Sequence, residues 1–227
     1  MIVAVHQPQY LPWLGYFDKM AKADIFCYLD NVQYKKNEWQ NRNRIKTAQG
    51  WQWLTVPVSY RFPQKINQVG INRTTAWGKK HLQAFDTNYG RAPFYSRYKE
   101  MVRSIILSAP EGLSALNIAL TEALRRALGI ETRTVVASEL PPLREDPTDR
   151  LIDICRCFGA DTYLAGEGGA NYMDVARFEK NGLRVAVQHY DHPVYPQLFG
   201  AFVSHLSVID LLFNCGPGSA AVIGKGV

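Results

Sequence analysis

The chain has 227 residues, 47% of them hydrophobic and 20% charged, and a formal charge of +6 from 26 Lys and Arg against 20 Asp and Glu. That balance supports a buried core and excludes a disordered chain. No apolar run approaches the roughly 20 residues that cross a bilayer. No basic segment precedes an apolar one at the N-terminus, so a cytoplasmic address is expected.

Ile2–Val5 reads as a buried strand, Leu14–Lys22 as a helix with Leu14, Phe17, Met20 and Ala21 on one face, and Ile25–Leu29 as the next strand. Pro12 suits the approach to the helix. A strand–helix–strand unit favours parallel pairing and a right-handed crossover. Trp51–Val58 reads as a further strand, with Pro57 at its end, and residues 69–73 as a short one. Three helices are predicted over Thr75–Phe85, Pro93–Leu107 and Gly112–Leu128, the last closed by Gly129. Thr132–Val136 is the next strand. Asp146 and Pro147 start a helix that Gly159 ends, and Thr162–Ala165 is a buried strand followed by a turn at Gly166–Gly169. Asn171–Asn181 reads as a helix, Leu183–Val187 as a strand and Val208–Phe213 as the last helix, with a loose tail after Gly218. Strands that alternate with helices predict an α/β, three-layer, mainly parallel Rossmann-like sheet. A single domain of residues 1–227 is expected, with a helical insertion near 75–130.

Four groups of residues invite chemistry. The first is His6, delivered by a strand into a loop with Gln7, Tyr10 and Trp13 that Pro8 and Pro12 stiffen. The second follows the next strand. Asp30, Asn31, Gln33, Lys35, Asn41, Arg42, Asn43 and Arg44 crowd together with Tyr34 and Trp39, and residues 35–46 hold five basic side chains and one acid. Guanidinium groups make paired contacts to phosphate or carboxylate, amides read sugar hydroxyls or base edges, and Asp30 is placed to hold a hydroxyl, an amine or Mg²⁺. The third is the glycine turn with Gly166, Glu167, Gly168, Asn171 and Tyr172, whose backbone N–H groups suit an anion and whose Glu167 suits an ammonium group. The fourth holds His189, His192, Tyr195 and Gln197, read as a wall for a sugar or a base. His189 and His192 have no defensible third ligand, so no metal site is assigned. Cys27 and Cys155 lie in apolar segments and read as small core residues, and Cys155 and Cys157 lack the C-x-x-C spacing. His6, Asp30 and Glu167 are the catalytic candidates; Gln7, Tyr10, Trp13, Gln33, Lys35, Asn41, Arg42, Asn43, Arg44, Gly166, Gly168, Asn171, Tyr172, His192, Tyr195 and Gln197 are the expected substrate contacts.

The opening residues from His6 to Lys19 (HQPQYLPWLGYFDK), then LDNVQYKKNEWQNRN, WLTVPV at 53–58, YLAGEGGANYMD at 163–174, HPVYPQ and LSVIDLLFNCG resemble the WbqC-like family of bacterial proteins over nearly the whole chain. The resemblance implies a role in surface-polysaccharide biosynthesis of the O-antigen type. It further suggests transfer of glycine or another small acyl group to an amino sugar on a nucleotide carrier; the cofactor is left open, with ATP or Mg²⁺ as the options that this chemistry would use. A tRNA donor and a non-enzymatic scaffold in a polysaccharide assembly complex are the alternatives. The layout of strand, histidine loop and helix is also similar to the HIGH-type nucleotidylyl transferases, although no HxGH is present and Gly15 is followed by Tyr16.

Overall fold

The computed structural model describes residues 1–108, 110–169 and 173–224. β1 (Ile2–His6) leads through a proline-rich loop into α1 (Leu14–Ala21) and back into β2 (Ile25–Tyr28). A hairpin of β3 (Arg42–Thr47) and β4 (Gly50–Thr55) follows, then the short pair β5 (Val58–Ser59) and β6 (Gly70–Ile71). Three helices, α2 (Trp77–Tyr89), α3 (Tyr95–Ser108) and α4 (Leu113–Ala127), precede β7 (Arg133–Val136). α5 (Pro147–Cys157), β8 (Thr162–Ala165), α6 (Val175–Lys180) and β9 (Arg184–Val187) come next, and α7 (Val208–Cys215) and α8 (Ser219–Ile223) end the described chain.

Five strands pair in parallel in the order β7-β2-β1-β8-β9. Helical crossovers leave both faces of such a sheet covered, which is why its central strands read as unbroken apolar runs. Side chains alternate between the faces. Ala4, Phe26 and Leu164 meet Leu14, Phe17 and Met20 of α1, and the same cluster takes in α2, α3, α4 and α7. Val3, Val5, Ile25, Cys27, Tyr163 and Ala165 meet Ile152 and Cys155 of α5 and Phe178 of α6. The chain is therefore a three-layer α/β fold of Rossmann-like type. Ile152 and Phe178, both fully buried, contribute about 1.5–3 kcal/mol each by removal from water. Local signals set the ends of α5. Asp146 caps its first turn by accepting from the Asp149 N–H at 3.0 Å, and Gly159 leaves it with a φ of 63°.

From β1 the chain builds outward through β2 to β7, and from β8 it builds the other way to β9. The order thus reverses between β1 and β8. At such a switch point the connections leave in opposite directions, and the carboxyl ends of the two strands open onto a crevice. Those ends carry His6 and Ala165.

Several local expectations change. The segment expected as Trp51–Val58 stops at Thr55 and lies outside the main sheet, paired antiparallel with β3. β3 alternates correctly, with Asn43 and Ile45 inward and Arg42 and Arg44 outward, but its inward set is largely polar, so it carries no apolar period. The tail expected to be loose forms α8, whose Ile223 is buried. The helix expected from Asn171 is observed from Val175, and residues 170–172 lie outside the described set. Among the described residues no helix is long and apolar enough to cross a membrane.

Candidate functional site: a crevice at the sheet switch point

The loop after β1 is held from outside by amide side chains. Asn43 Nδ2 donates to the carbonyls of Tyr10 (3.3 Å) and Leu11 (2.7 Å), and its Oδ1 accepts the Arg44 N–H at 2.8 Å. Asn117 of α4 donates to the carbonyls of Pro8 and Gln40. Leu11 takes a left-handed φ of 45°, so these contacts fix a turn that the chain alone disfavours. Gln40 Nε2 donates to Gln7 Oε1 at 2.7 Å and joins the amide belt to the crevice.

Two cavities open on either side of the switch point. One, of about 400 Å³, is mostly apolar, with Leu29, Leu151, Tyr163 and Met173 in its wall beside Gln7. The other, of about 260 Å³, is aromatic and polar, with Trp13, Tyr16, Glu167, Gln188 and Tyr190. His6, Lys19, Gly166 and Gly168 border both. Gln188 is set by donating to the Gly15 carbonyl at 2.8 Å and to Asp18 at 2.6 Å. Trp13 stacks against His205 (5.2 Å, 24°) and His192 (6.2 Å, 15°).

The electrostatics of the junction follow from burial. His6 lies at the crevice floor against the Tyr16 ring, 4.6 Å between centroids. Desolvation, with the nearby Lys19 charge, lowers its pKa to about 3. The ring is neutral at physiological pH. Its Nδ1 lies 3.2 Å from the Gln7 carbonyl, which only accepts, so Nδ1 carries the proton and Nε2 carries the free lone pair. Lys19 Nζ donates to the Val5 carbonyl at 3.0 Å, and burial lowers its pKa to about 8. A Cβ added at Gly166 would stand 3.9 Å from that nitrogen, so the turn lies beside the ammonium.

A larger cavity, about 670 Å³, lies at the amino ends of β2 and β7, beside Asp24, Gly129, Thr132 and Ile223. Two of its polar groups are already engaged. Asp24 accepts the Ile2 N–H at 2.7 Å, and the Thr132 hydroxyl donates to the Met20 carbonyl at 2.8 Å. The smaller pair of cavities is the better site, because the His6 lone pair, the Lys19 ammonium and the glycine turn converge there at the switch point.

The structure gathers only part of the sequence-derived set. His6, Gln7, Trp13, Gly166, Glu167 and Gly168 meet at the crevice. Glu167 sits on its rim, 3.7 Å from His189. Asn171 and Tyr172 lie outside the described residues. Asp30 borders neither cavity; it is buried and accepts both the N–H (2.9 Å) and the hydroxyl (2.7 Å) of Ser138. Tyr10 is buried, its hydroxyl 2.8 Å from His81 Nδ1. Asn41 Nδ2 donates to the Val56 carbonyl at 3.0 Å, while Gln33 and Lys35 are exposed. Tyr195 and Gln197 donate to Asp210 at 2.9 and 2.8 Å, and Tyr89 joins them there at 2.8 Å. His192 spends both ring nitrogens, one on the Pro193 carbonyl and one on the His205 N–H. Arg42 and Arg44 lie outward among Trp39, Trp51 and Trp53, with Arg42 4.3 Å from the Trp53 ring and Arg44 5.1 Å from Trp51. Lys19, Tyr16 and Gln188 escaped the sequence reading, and Tyr190 lies within the fourth group without an assigned role. Lys19 closes the opening motif and lies four residues after Gly15, a hint that its helix face meets the loop.

Fold and crevice together define a doubly wound α/β protein with a bipartite cavity at its switch point. The chain belongs to the WbqC-like protein family, whose model matches residues 7–222. It is 40% identical over 218 residues, 94% of each chain, to an uncharacterised protein of Mycobacterium tuberculosis, Rv1507c. No solved structure matches it.

Proposed function

We propose that the chain is a cytoplasmic transferase of bacterial surface-polysaccharide biosynthesis that moves glycine or another small acyl group onto an amino sugar carried on a nucleotide. The observation that carries this reading is the pair of cavities meeting at His6, one for a donor and one for an acceptor. Holding two reactants in contact lowers the barrier by removing their relative freedom. In the concrete step the sugar amine attacks the activated glycyl carbonyl, the carrier oxygen departs with the bonding pair, and the amine proton passes to the lone pair on His6 Nε2. An anionic substrate beside His6 raises the basicity of that nitrogen, so the base is formed in the loaded site. Glu167 on the rim suits the incoming ammonium group.

Incubation with labelled glycine, ATP, Mg²⁺ and a panel of nucleotide-linked amino sugars is expected to yield labelled sugar nucleotide. His6→Ala is expected to lower kcat by about 10²–10⁴-fold, the usual span for a lost acid–base group, with the folded CD spectrum unchanged. Product formation indifferent to His6 would remove that residue's role, and no labelled product with any acceptor would instead support the scaffold reading. A second donor is favoured by one feature, the exposed array of Trp39, Trp51 and Trp53 with Arg42 and Arg44. Indoles and guanidinium groups stack on bases, so a charged tRNA is the alternative glycyl source. Trp53→Ala would then weaken tRNA binding, and wild-type affinity would fall steeply with salt.

A further inference from the structure

Among the described residues, the crevice holds a buried charge with no ion-pair partner. Lys19 is 3% exposed, and its partner is the neutral Val5 carbonyl at 3.0 Å. Its neighbour Asp18 turns away, to Lys22 at 3.0 Å and Gln188 at 2.6 Å. Glu167, the acid on the rim, faces His189 at 3.7 Å and is largely exposed. Lys19 forms no ion pair among the described residues. A buried ammonium without an anion is costly, and proteins retain one where a ligand completes the pair.

Two further features set the kind of anion. The glycine turn lies against the ammonium, with a Cβ at Gly166 3.9 Å from Nζ; the Gly169 N–H closes the turn on the Gly166 carbonyl at 2.9 Å, and the N–H groups before it are of the kind that cradle tetrahedral oxyanions. The ammonium also stands at the carboxyl end of the sheet between two cavities, where α/β folds bind phosphorylated ligands. We propose that Lys19 and the turn Gly166–Gly169 form an anion subsite that holds a phosphoryl group at the junction of the two cavities. It rests on the transferase reading only in taking this crevice as the substrate site, and it adds that the substrate enters with a phosphoryl group against Lys19. The other titratable groups around the junction are His6 from β1, Tyr16 from α1, Tyr163 from β8, Glu167 from the turn and Tyr190. Bound phosphate places its charge between Lys19 and His6, which favours the protonated form of each.

The test is titration of the full chain with sulfate and with pyrophosphate, followed by thermal shift and by amide shifts of ¹⁵N-glycine-labelled protein. Sulfate carries the same charge from pH 6 to 10, so its pH profile reports the protein alone. Saturable binding is expected, tighter for pyrophosphate, with perturbed signals from Gly166, Gly168 and Gly169. Lys19→Met is expected to weaken pyrophosphate binding at least tenfold, and Arg103→Ala, on the exposed face of α3, to leave it unchanged. Wild-type sulfate affinity is expected to fall as pH rises through about 8, because the ammonium loses its charge, and Lys19→Met is expected to lack that step. Near-UV CD checks that the variant is folded, and Lys19→Gln serves if Lys19→Met is not. Equal binding by wild type and variant, or acetate binding as tightly as pyrophosphate, would overturn the proposal. Anion binding at Lys19 without any glycyl transfer would remove the transferase reading alone. Transfer that persists in Lys19→Met with an unchanged KM for the sugar nucleotide would remove the subsite alone.

Discussion

A lysine kept at 3% exposure weakens the fold that contains it. Its pKa falls from 10.5 to about 8, and each unit is worth about 1.4 kcal/mol. The penalty is thus on the order of 3 kcal/mol, and Lys19→Met should raise stability at pH 7 by roughly 1–3 kcal/mol, since it keeps most of the volume. The sign is fixed by proton counting. Between pH 8 and 10.5 the unfolded chain binds more protons than the folded one, so stability rises with pH and the variant's advantage shrinks. Urea melts at pH 7 and pH 10 check this, and a variant less stable than wild type at pH 7 would contradict it. His6 acts at the acid end. Its pKa is depressed to about 3, so its stabilising effect is whole above about 6.5 and is lost as pH falls toward 3. His6→Asn should flatten the acid limb of the stability curve, as read by urea midpoints from pH 7 to pH 4. At this scale the sequence was partly legible. A histidine at a strand end stands out, but a lysine near an apolar helical stripe looks like ordinary surface. The amides misled for another reason. Asn41 and Asn43 serve backbone carbonyls, and composition does not separate an amide that reads a ligand from one that props a loop.

The β1–α1 loop is the element on which the crevice depends. Asn43 makes three hydrogen bonds to it and to Arg44 from a nearly fully buried position, so Asn43→Ala should cost roughly 2–4 kcal/mol at about 1 kcal/mol per bond plus the orphaned carbonyls. A denaturant midpoint unchanged from wild type would contradict this. Gly15 sets the wall of the smaller cavity, because a Cβ there would stand 2.3 Å from the Trp13 ring. Gly15→Ala should therefore push the indole off His192 and His205, shift its fluorescence and weaken sugar-nucleotide binding about tenfold or more. The helical and central-strand elements were readable because their apolar periods match their geometry. The β3–β4 hairpin was half-read. β4 has Trp51, Trp53 and Leu54 to mark it, whereas β3 buries Asn43, Lys46 and Thr47, and its strand character comes from pairing rather than from pattern.

The whole molecule places two connections in opposite directions from one strand pair, and its chemistry follows from that. The parallel α/β class was legible in the alternation of strands and helices. The order β7-β2-β1-β8-β9 was not, because neighbouring strands distant in sequence leave no local mark. Asp30 shows the consequence. It follows the carboxyl end of β2 by two residues, but β2 lies one position away from the switch point, and its carboxylate binds Ser138 instead of opening to a cavity. The most direct measurement is a crystal structure of the protein soaked with a nucleotide-linked amino sugar. Ordered density is expected across the switch point, with phosphate oxygens within hydrogen-bond distance of Lys19 Nζ and the sugar amine near His6 and Glu167. Ordered ligand in the 670 Å³ cavity at the opposite end of the sheet, with the crevice at His6 filled by water alone, would contradict it.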